Sequence, residues 1–147
     1  MAFLTAIDLG GPFNKLAFGI VITFYFEGYY FITGPALIAV TVPPLSVFLA
    51  LIILQHRFKE VDLKNKRFAG FSSLIGLTEG ALAVAFRRPL KVLLPVVVGS
   101  FSGAIFAAIF DLENSLIAGS LIGIFTASNV FIYVSAHLIG AGVSILL

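Results

Sequence analysis

The chain has 147 residues, of which 60% are hydrophobic and 11% are charged, and its mean hydropathy is +1.12. Soluble domains carry about 25% charged residues, so this composition excludes a soluble enzyme, a disordered tail and a nucleic-acid-binding protein, despite a net charge of +2. We predict an all-α integral membrane protein in which residues 1–147 form a single membrane domain surrounded by lipid.

The sequence has no cysteine and two histidines, His56 and His137. The absence of cysteine excludes a disulfide, a thiolate metal site and a cysteine nucleophile. Two isolated histidines are too few for a metal site without an unusual set of carboxylates. We therefore expect no metal, no cofactor and no catalytic residue in this chain.

The N-terminal part of the chain contains two apolar stretches close to the length of a membrane span, which is about 20 residues. The first covers 16–33 and is interrupted by Glu27, and the second covers 36–54. Pro43 and Pro44 lie within the second stretch, where each removes a backbone donor. We expect these prolines to kink or break the helix in the middle of the membrane.

Two basic clusters flank the next apolar stretch, 68–86. The first cluster lies within 57–67 and the second within 87–91, and short basic loops favour the cytoplasmic side. If 68–86 crossed the membrane, the two clusters would face opposite sides. The charge pattern therefore favours a re-entrant hairpin near 68–91, although the sequence leaves a full crossing open.

The C-terminal part begins with an outward span over 92–110, which ends at an acidic turn containing Asp111 and Glu113. The last uncharged stretch, 114–147, would be about 51 Å long as a straight helix, too long for one perpendicular crossing and tight for two. We expect one span plus a broken or re-entrant piece, with the break near 128–129. The whole prediction is about four transmembrane helices plus the re-entrant hairpin.

Glycines recur at four-residue spacing along the predicted membrane segments. The pairs are Gly76/Gly80, Gly99/Gly103 and Gly119/Gly123. Such spacing lets helices approach closely, because lipid gives no hydrophobic drive for helix pairing. The pairs predict close packing, although glycine is also simply frequent in membrane helices.

Glu79 is the main candidate for a functional residue. An ionisable group inside a membrane segment is costly and is therefore functional by default. It lies between Gly76 and Gly80, where glycines let the backbone unwind toward a ligand, and a carboxylate accepts hydrogen bonds from sugar hydroxyls. The alternative is a packed acid paired with Arg87 or Lys91.

A second polar group precedes the first apolar stretch, in the segment 8–15. Two glycines and a proline between Asp8 and Lys15 predict a bent, irregular connection before a helix. Asn14 is its most interesting member, because an amide both donates to and accepts from a hydroxyl. An ordinary interfacial turn explains the same residues equally well.

The chain reads Asp-Leu-Gly-Gly-Pro-Phe-Asn-Lys at 8–15 and Leu-Thr-Glu-Gly-Ala-Leu at 77–82, with the Pro-Pro pair and the basic segment between them. In this order and spacing, over roughly 8–110, these motifs resemble the membrane IIC component of fructose-type permeases of the phosphotransferase system (PTS). That family shows an acid-Met-Gly-Gly-Pro-x-Asn-Lys segment and, further on, an Ile-Thr-Glu-Gly-Ala-Ile segment.

The resemblance implies a multi-pass protein of the bacterial plasma membrane that takes part in group translocation. In that family IIC binds a sugar outside and exposes it inside, where a IIB component carrying a phosphocysteine phosphorylates it. Fructose or a related sugar is the implied substrate, and IIB and IIA are the implied partners. The chain would then be a component of a protein-phosphohistidine-sugar phosphotransferase, although no residue of this chain carries the phosphoryl group.

The resemblance also implies site residues. The sugar would be bound by Glu79, with Thr78, Gly80 and Asn14 lining or shaping the pocket. The face where IIB docks would contain Arg87, Arg88, Lys64 and Lys66.

The chain departs from the family pattern at 83–88, where a proline and an acid are missing and two arginines are present. The family's Pro-His-Gly-Gly segment has no counterpart near 111–119. A IIC domain is also longer than this chain, which looks like the C-terminal half of one. This implies a separate N-terminal half, or self-association, as a further partner.

These departures keep a different hypothesis open, in which the chain is a non-transporting degenerate or scaffold membrane fragment. A small ion-coupled transporter would need a second buried acid near Glu79, and the sequence offers none convincingly. The residues do not determine the sugar, the oligomeric state, or whether the chain functions alone.

Overall fold

A computed structural model describes residues 2–116 and 119–147 of the chain. Over these residues the protein is all-α, as predicted, and a single antiparallel bridge between Asn114 and Ala127 is the only extended pairing. The α-helices are α1 (Ala2–Ile7), α2 (Pro12–Phe26), α3 (Thr33–Ile53), α4 (Glu60–Leu63), α5 (Lys66–Ile75), α6 (Leu82–Ala85), α7 (Pro89–Ile109) and α8 (Val130–Leu146).

Helices α3 and α7 are the two that are long and apolar enough to cross a membrane. Each has 21 residues, which is about 31 Å of helix, and they run antiparallel. At one end the Thr33 hydroxyl donates to the Asn114 carbonyl at 2.8 Å. At the other end Arg88 donates to the Arg57 carbonyl at 2.9 Å. We call these the acidic end and the basic end, after Asp111 and the basic clusters.

Helices α7 and α8 approach each other through small residues. A β-carbon at Gly99 would overlap the Gly140 carbonyl, and one at Gly103 would lie 2.7 Å from the Ala136 carbonyl. Large apolar side chains of α7, such as Phe101, point outward instead. This pattern, with small residues inside and large ones outside, is typical of helices that pack in lipid, and it confirms the predicted close packing.

Pro43 and Pro44 do not break the second span, so the predicted break is wrong, while the alternative of a kink stays a prediction. Helix α3 is continuous through both prolines. The stretch 36–47 is buried throughout, and such packing overrides intrinsic helix propensity. Pro44 instead contacts the hairpin, because a β-carbon at Gly80 would lie 3.1 Å from the Pro44 side chain.

The first apolar stretch also differs from its prediction of 16–33. Helix α2 begins earlier, at Pro12, and ends at Phe26, after which Gly28 adopts a φ of 85°. A 3-10 turn over Tyr30–Ile32 then leads directly into α3. Pro12 stabilises the earlier start, since proline is favoured in the first helical turn.

The segment 66–86 begins and ends at the basic end of the molecule. Helix α5 has 10 residues, about 15 Å, which is too short to cross a membrane. Arg87, just after the segment, is paired with Asp62, just before it, with 3.1 Å between Nη1 and Oδ1. The two basic clusters are therefore neighbours in space, which is the arrangement that a re-entrant hairpin produces.

The segment 112–129 folds back in the same way from the acidic end. The Ser128 amide donates to the Glu113 carbonyl at 2.9 Å, and the Glu113 amide donates to the Ser128 hydroxyl at 3.0 Å. Helix α8 then starts after Asn129, whose side chain accepts from the Phe131 amide at 3.0 Å. The predicted break near 128–129 is thus confirmed.

The segments 66–86 and 112–129 meet, through Gly76 and Gly119, near the middle of α3. A β-carbon at Gly76 would overlap the Gly119 carbonyl, and one at Gly119 would lie 2.8 Å from the Val40 side chain. Neither glycine could be replaced without moving backbone, so the contact requires both. It brings the turn at 76–79 and the stretch at 119 to the same place in the molecule.

Candidate functional site

Residues 8–11, which separate α1 from α2, form one wall of the candidate site. Leu9 and Gly10 both have positive φ, 48° and 105°, which turns the chain sharply between α1 and α2. The Asp8 carboxylate then accepts from the amides of Phe13 at 2.7 Å and Asn14 at 3.1 Å. Asp8 therefore caps α2, because the first amides of a helix have no partner within it. The predicted bent connection is confirmed.

The turn at 76–79 forms the opposite wall. Helix α5 ends just before Gly76, whose φ of 80° favours glycine. A 3-10 turn over Thr78–Ala81 follows. The half-buried Glu79 side chain reaches across to the first wall. A β-carbon at Gly10 would lie only 2.8 Å from Oε1 of Glu79. Glycine at position 10 thus leaves the space that the Glu79 carboxylate occupies.

A cavity of about 260 Å³ opens between these walls. Its size suits a ligand of a few heavy atoms up to a monosaccharide, since small-molecule pockets begin at about 300 Å³. It is lined by Gly10, Asn14, Lys15, Phe18, Val40, Gly76, Leu77, Thr78, Glu79 and Gly119.

Three of the four predicted sugar-binding residues line this one cavity, although Asn14 and Glu79 are far apart in sequence. Asn14 is buried, and its side-chain amide donates to the Thr5 carbonyl at 2.6 Å. Gly80 lies behind the cavity wall, because a β-carbon there would meet Ser72 and, at 3.1 Å, Pro44. Gly80 therefore sets the path of the turn and does not line the cavity.

The charges in the cavity come from Glu79 and Lys15. Over residues 2–116 and 119–147, Arg87 forms its ion pair with Asp62, and Glu79 forms none. The alternative of a packed, paired acid thus finds no support. A carboxylate acceptor, an ammonium donor and the Thr78 hydroxyl together match the mixed donors and acceptors of a polyol.

The sequence analysis did not single out Lys15, Phe18, Val40, Gly76 or Gly119 as lining residues. Lys15 stands next to Asn14 in the same motif, and this neighbourhood was a usable signal. Val40 and Gly119 line the cavity only because α3 contacts the segment 112–129, which is distant in the sequence. No local spacing in the sequence predicts that contact.

The predicted partner-docking residues lie together at the basic end, but their side chains differ in exposure and in contacts. Lys64 is exposed, and the Arg87 side chain is 46% exposed. Arg88 points inward, with its guanidinium 3.6 Å from Asp62 and stacked 5.4 Å above the Phe58 ring. Arg88 therefore connects the end of the hairpin to the basic segment 57–67 through its contacts with that segment.

Among residues 2–116 and 119–147, no group of three or more His, Asp or Glu side chains is placed to hold a metal ion. The polar groups at the cavity are acceptors and donors for hydrogen bonds.

Similar proteins were found among curated sequences. The chain is 31% identical to the "Fructose-like permease IIC component 2" of Escherichia coli (strain K12) over 144 residues, which is 98% of this chain. It is also 30% identical to the "PTS system fructose-specific EIIABC component" of Bacillus subtilis (strain 168) over 94% of this chain. The chain is a relative of the fructose-type IIC permeases.

Another similar protein has a different sugar in its name. The chain is 33% identical, over 74% of its length, to the "PTS system 2-O-alpha-mannosyl-D-glycerate-specific EIIABC component" of Escherichia coli (strain K12). The chain spans 40% of the length of the IIC component 2. It spans 22% of the fructose-specific EIIABC component and 17% of the 2-O-alpha-mannosyl-D-glycerate-specific one. No family model matches the chain. No solved structure matches it either.

Proposed function

We propose that this chain serves as a IIC-type component in the transport of a sugar across the bacterial plasma membrane, coupled to phosphorylation by a separate IIB component. The observation that carries the proposal is the contact of Glu79 with Gly10 across the cavity. These residues belong to the two motifs that the chain has in common with the IIC family. The carboxylate would accept hydrogen bonds from sugar hydroxyls, with Asn14 and Thr78 shaping the pocket.

The departure at 83–88 is compatible with this function. Its two arginines, Arg87 and Arg88, pair with Asp62 at the basic end, and neither lines the Glu79 cavity. The substitution thus supports the base of the hairpin and leaves the cavity residues as they are. This counts against the alternative of a non-transporting remnant, which the experiment below also tests.

The partners follow from the proposed role. Relatives carry IIA and IIB together with IIC in their names, and this chain has no cysteine to carry a phosphoryl group. We propose that a separate IIB docks at the basic surface formed by the exposed Lys64 and Arg87 and the half-buried Lys66, with Arg88 holding that surface in place. We also propose that an N-terminal IIC half, or another copy of the chain, packs against this membrane domain.

The proposed topology has four crossings and two re-entrant segments. The crossings are the interrupted helix α1–α2 and helices α3, α7 and α8. The basic end faces the cytoplasm because short basic loops are retained there, and the acidic end with Asp111 and Glu113 faces outward. Two re-entrant segments are tolerated at membrane depth where irregular backbone lines a cavity.

Uptake of labelled fructose tests the sugar site. The chain is expressed with the proteins encoded beside it in cells that lack their own fructose permease. We expect uptake coupled to phosphorylation, and Glu79→Gln should lower it by about 10- to 100-fold, since a charged hydrogen-bond partner is lost.

The matched control is Glu27→Gln, because Glu27 is exposed and lies outside the cavity. It should transport like the unmodified chain. If the unmodified chain reaches the membrane with its partners and takes up no sugar, the non-transporting alternative replaces this proposal.

Cysteine labelling tests the topology, and the cysteine-free sequence gives no background. Single variants Lys64→Cys, Lys91→Cys and Glu113→Cys are exposed to a membrane-impermeant maleimide in intact cells. We expect labelling only at position 113, with the other two reacting after permeabilisation. Labelling of positions 64 and 91 from opposite sides would contradict the hairpin.

A further inference from the structure

A second, larger cavity lies at the basic end, away from Glu79. Its volume is about 940 Å³, and it is a groove between α3, α7 and the last turns of α8. Its walls are mostly apolar, with Ala50 from α3, Val92 and Pro95 from α7 and Ile145 from α8 among the lining residues. None of these residues takes part in the cavity that contains Glu79.

Three basic side chains, Arg57, Arg88 and Lys91, line the mouth of this groove. Arg88 is held in place by the Arg57 carbonyl and by Asp62. Over residues 2–116 and 119–147, Arg57 and Lys91 form no ion pair. The mouth therefore carries two positive charges that no carboxylate of the described chain balances.

We propose that this groove binds one anionic glycerophospholipid. The phosphate would lie between Arg57 and Lys91, beside the fixed guanidinium of Arg88, and an acyl chain would run along the apolar wall at Ala50 and Pro95. Basic pockets between membrane helices on the cytoplasmic side suit anionic headgroups. Charge-assisted hydrogen bonds hold the phosphate, and the acyl chain makes van der Waals contacts with the apolar wall.

The two properties of the groove together select this occupant. An inorganic anion would use the basic mouth but leave the apolar wall exposed. An apolar helix of another protein would cover the wall but leave Arg57 and Lys91 without partners. A single molecule with an anionic head and a long apolar chain satisfies both. The proposal relies on the proposed membrane location, but it does not depend on the sugar site.

Native mass spectrometry of the purified full chain in detergent tests the proposal. The probes are phosphatidylglycerol and phosphatidylcholine with identical acyl chains. We expect phosphatidylglycerol to be retained in preference, and the double variant Arg57→Gln/Lys91→Gln to weaken it by about 30-fold, since each basic residue near anionic lipid contributes about a factor of five.

A matched charge control is Lys64→Gln/Lys66→Gln, which removes two charges from the same end but not from the groove. It should retain phosphatidylglycerol like the unmodified chain. An equal loss in both double variants would show that the attraction is diffuse and would overturn the proposal. Thermal unfolding of each variant identifies any that fail to fold.

The apolar wall is tested separately by Ala50→Trp, which fills the groove and keeps all its charges. We expect this variant to lose phosphatidylglycerol as well. Retention of the lipid, competition by inorganic phosphate alone, or occupation of the groove by a second copy of the chain would each overturn the proposal. Glu79→Gln should bind lipid normally, so failure of the transport proposal is distinguishable from failure of this one.

Discussion

The segments 66–86 and 112–129 both leave one end of the molecule, reach its middle and return. The segment 112–129 is satisfied from within, because the buried Asn114 side chain donates to the Gly123 carbonyl at 2.9 Å and accepts from the Thr126 hydroxyl at 2.7 Å. The segment 66–86 presents Glu79, which forms no ion pair with any described residue, to the cavity.

Under the proposed function, this difference separates a supporting segment from the one that binds the sugar. Buried polar groups are normally hydrogen-bonded, and Asn114 obeys that rule completely. Glu79 has no ion-pair partner among the described residues, and under the proposed function sugar hydroxyls would donate hydrogen bonds to its carboxylate. The contact of Gly76 with Gly119 joins the two segments, so that the satisfied one holds the other in place.

The largest effect should come from breaking that contact. Gly76→Ala places a β-carbon on the Gly119 carbonyl and forces alanine to a φ of 80°. We expect a loss of about 3 kcal/mol of folding free energy, measured as a lower unfolding temperature in detergent. Gly19→Ala is the matched control, because a β-carbon there meets nothing within 4 Å. Equal stability of the two variants would disprove the contact.

The next effect contrasts the two polar side chains directly. Asn114→Ala leaves the Leu116 amide without its acceptor and removes one of the donors to the Gly123 carbonyl, which should cost about 2 kcal/mol. Glu79→Gln should change stability by less than about 0.5 kcal/mol, while under the proposed function it lowers uptake by about 10- to 100-fold. The same unfolding measurement checks both. A destabilised Glu79→Gln variant with normal uptake would reverse the assignment of the two segments.

The smallest effect on stability is expected at the ion pair between Asp62 and Arg87, which joins the two ends of the hairpin. Arg87→Gln removes the ion pair with Asp62, and because the arginine side chain is 46% exposed the pair should contribute only about 0.5–1 kcal/mol. Hydrogen exchange of the amides in 66–86 should become faster. Arg67→Gln, at an exposed position of the same end, serves as the control, and an identical effect there would remove any special role for Arg87.

Much of this architecture could be predicted from the sequence. The charge clusters correctly indicated that 68–86 starts and ends at the same end of the molecule, where Arg87 pairs with Asp62. The motif at 8–15 and the motif around Glu79 pointed to residues that do meet. The glycine spacing correctly predicted the close approach of α7 and α8.

Other features could not be predicted, for identifiable physical reasons. Helix α3 continues through Pro43 and Pro44 because burial on all sides outweighs the missing bonds, and burial is not visible in a local pattern. The role of Gly119 depends on a contact with Gly76, more than forty residues earlier. Lys15 was visible in its motif, but only the cavity relates it to Glu79.

The capping of α2 by Asp8 has a consequence for the direction of transport. Because the Asp8 carboxylate already accepts from the free amides of Phe13 and Asn14, the positive end of that helix is neutralised, and among the described lining residues only Lys15 opposes Glu79. A neutral sugar leaves this balance undisturbed. A sugar phosphate would bring a charge of about −1.5 to −2 beside Glu79. Under the proposed function, phosphorylation would therefore expel the product and prevent its return.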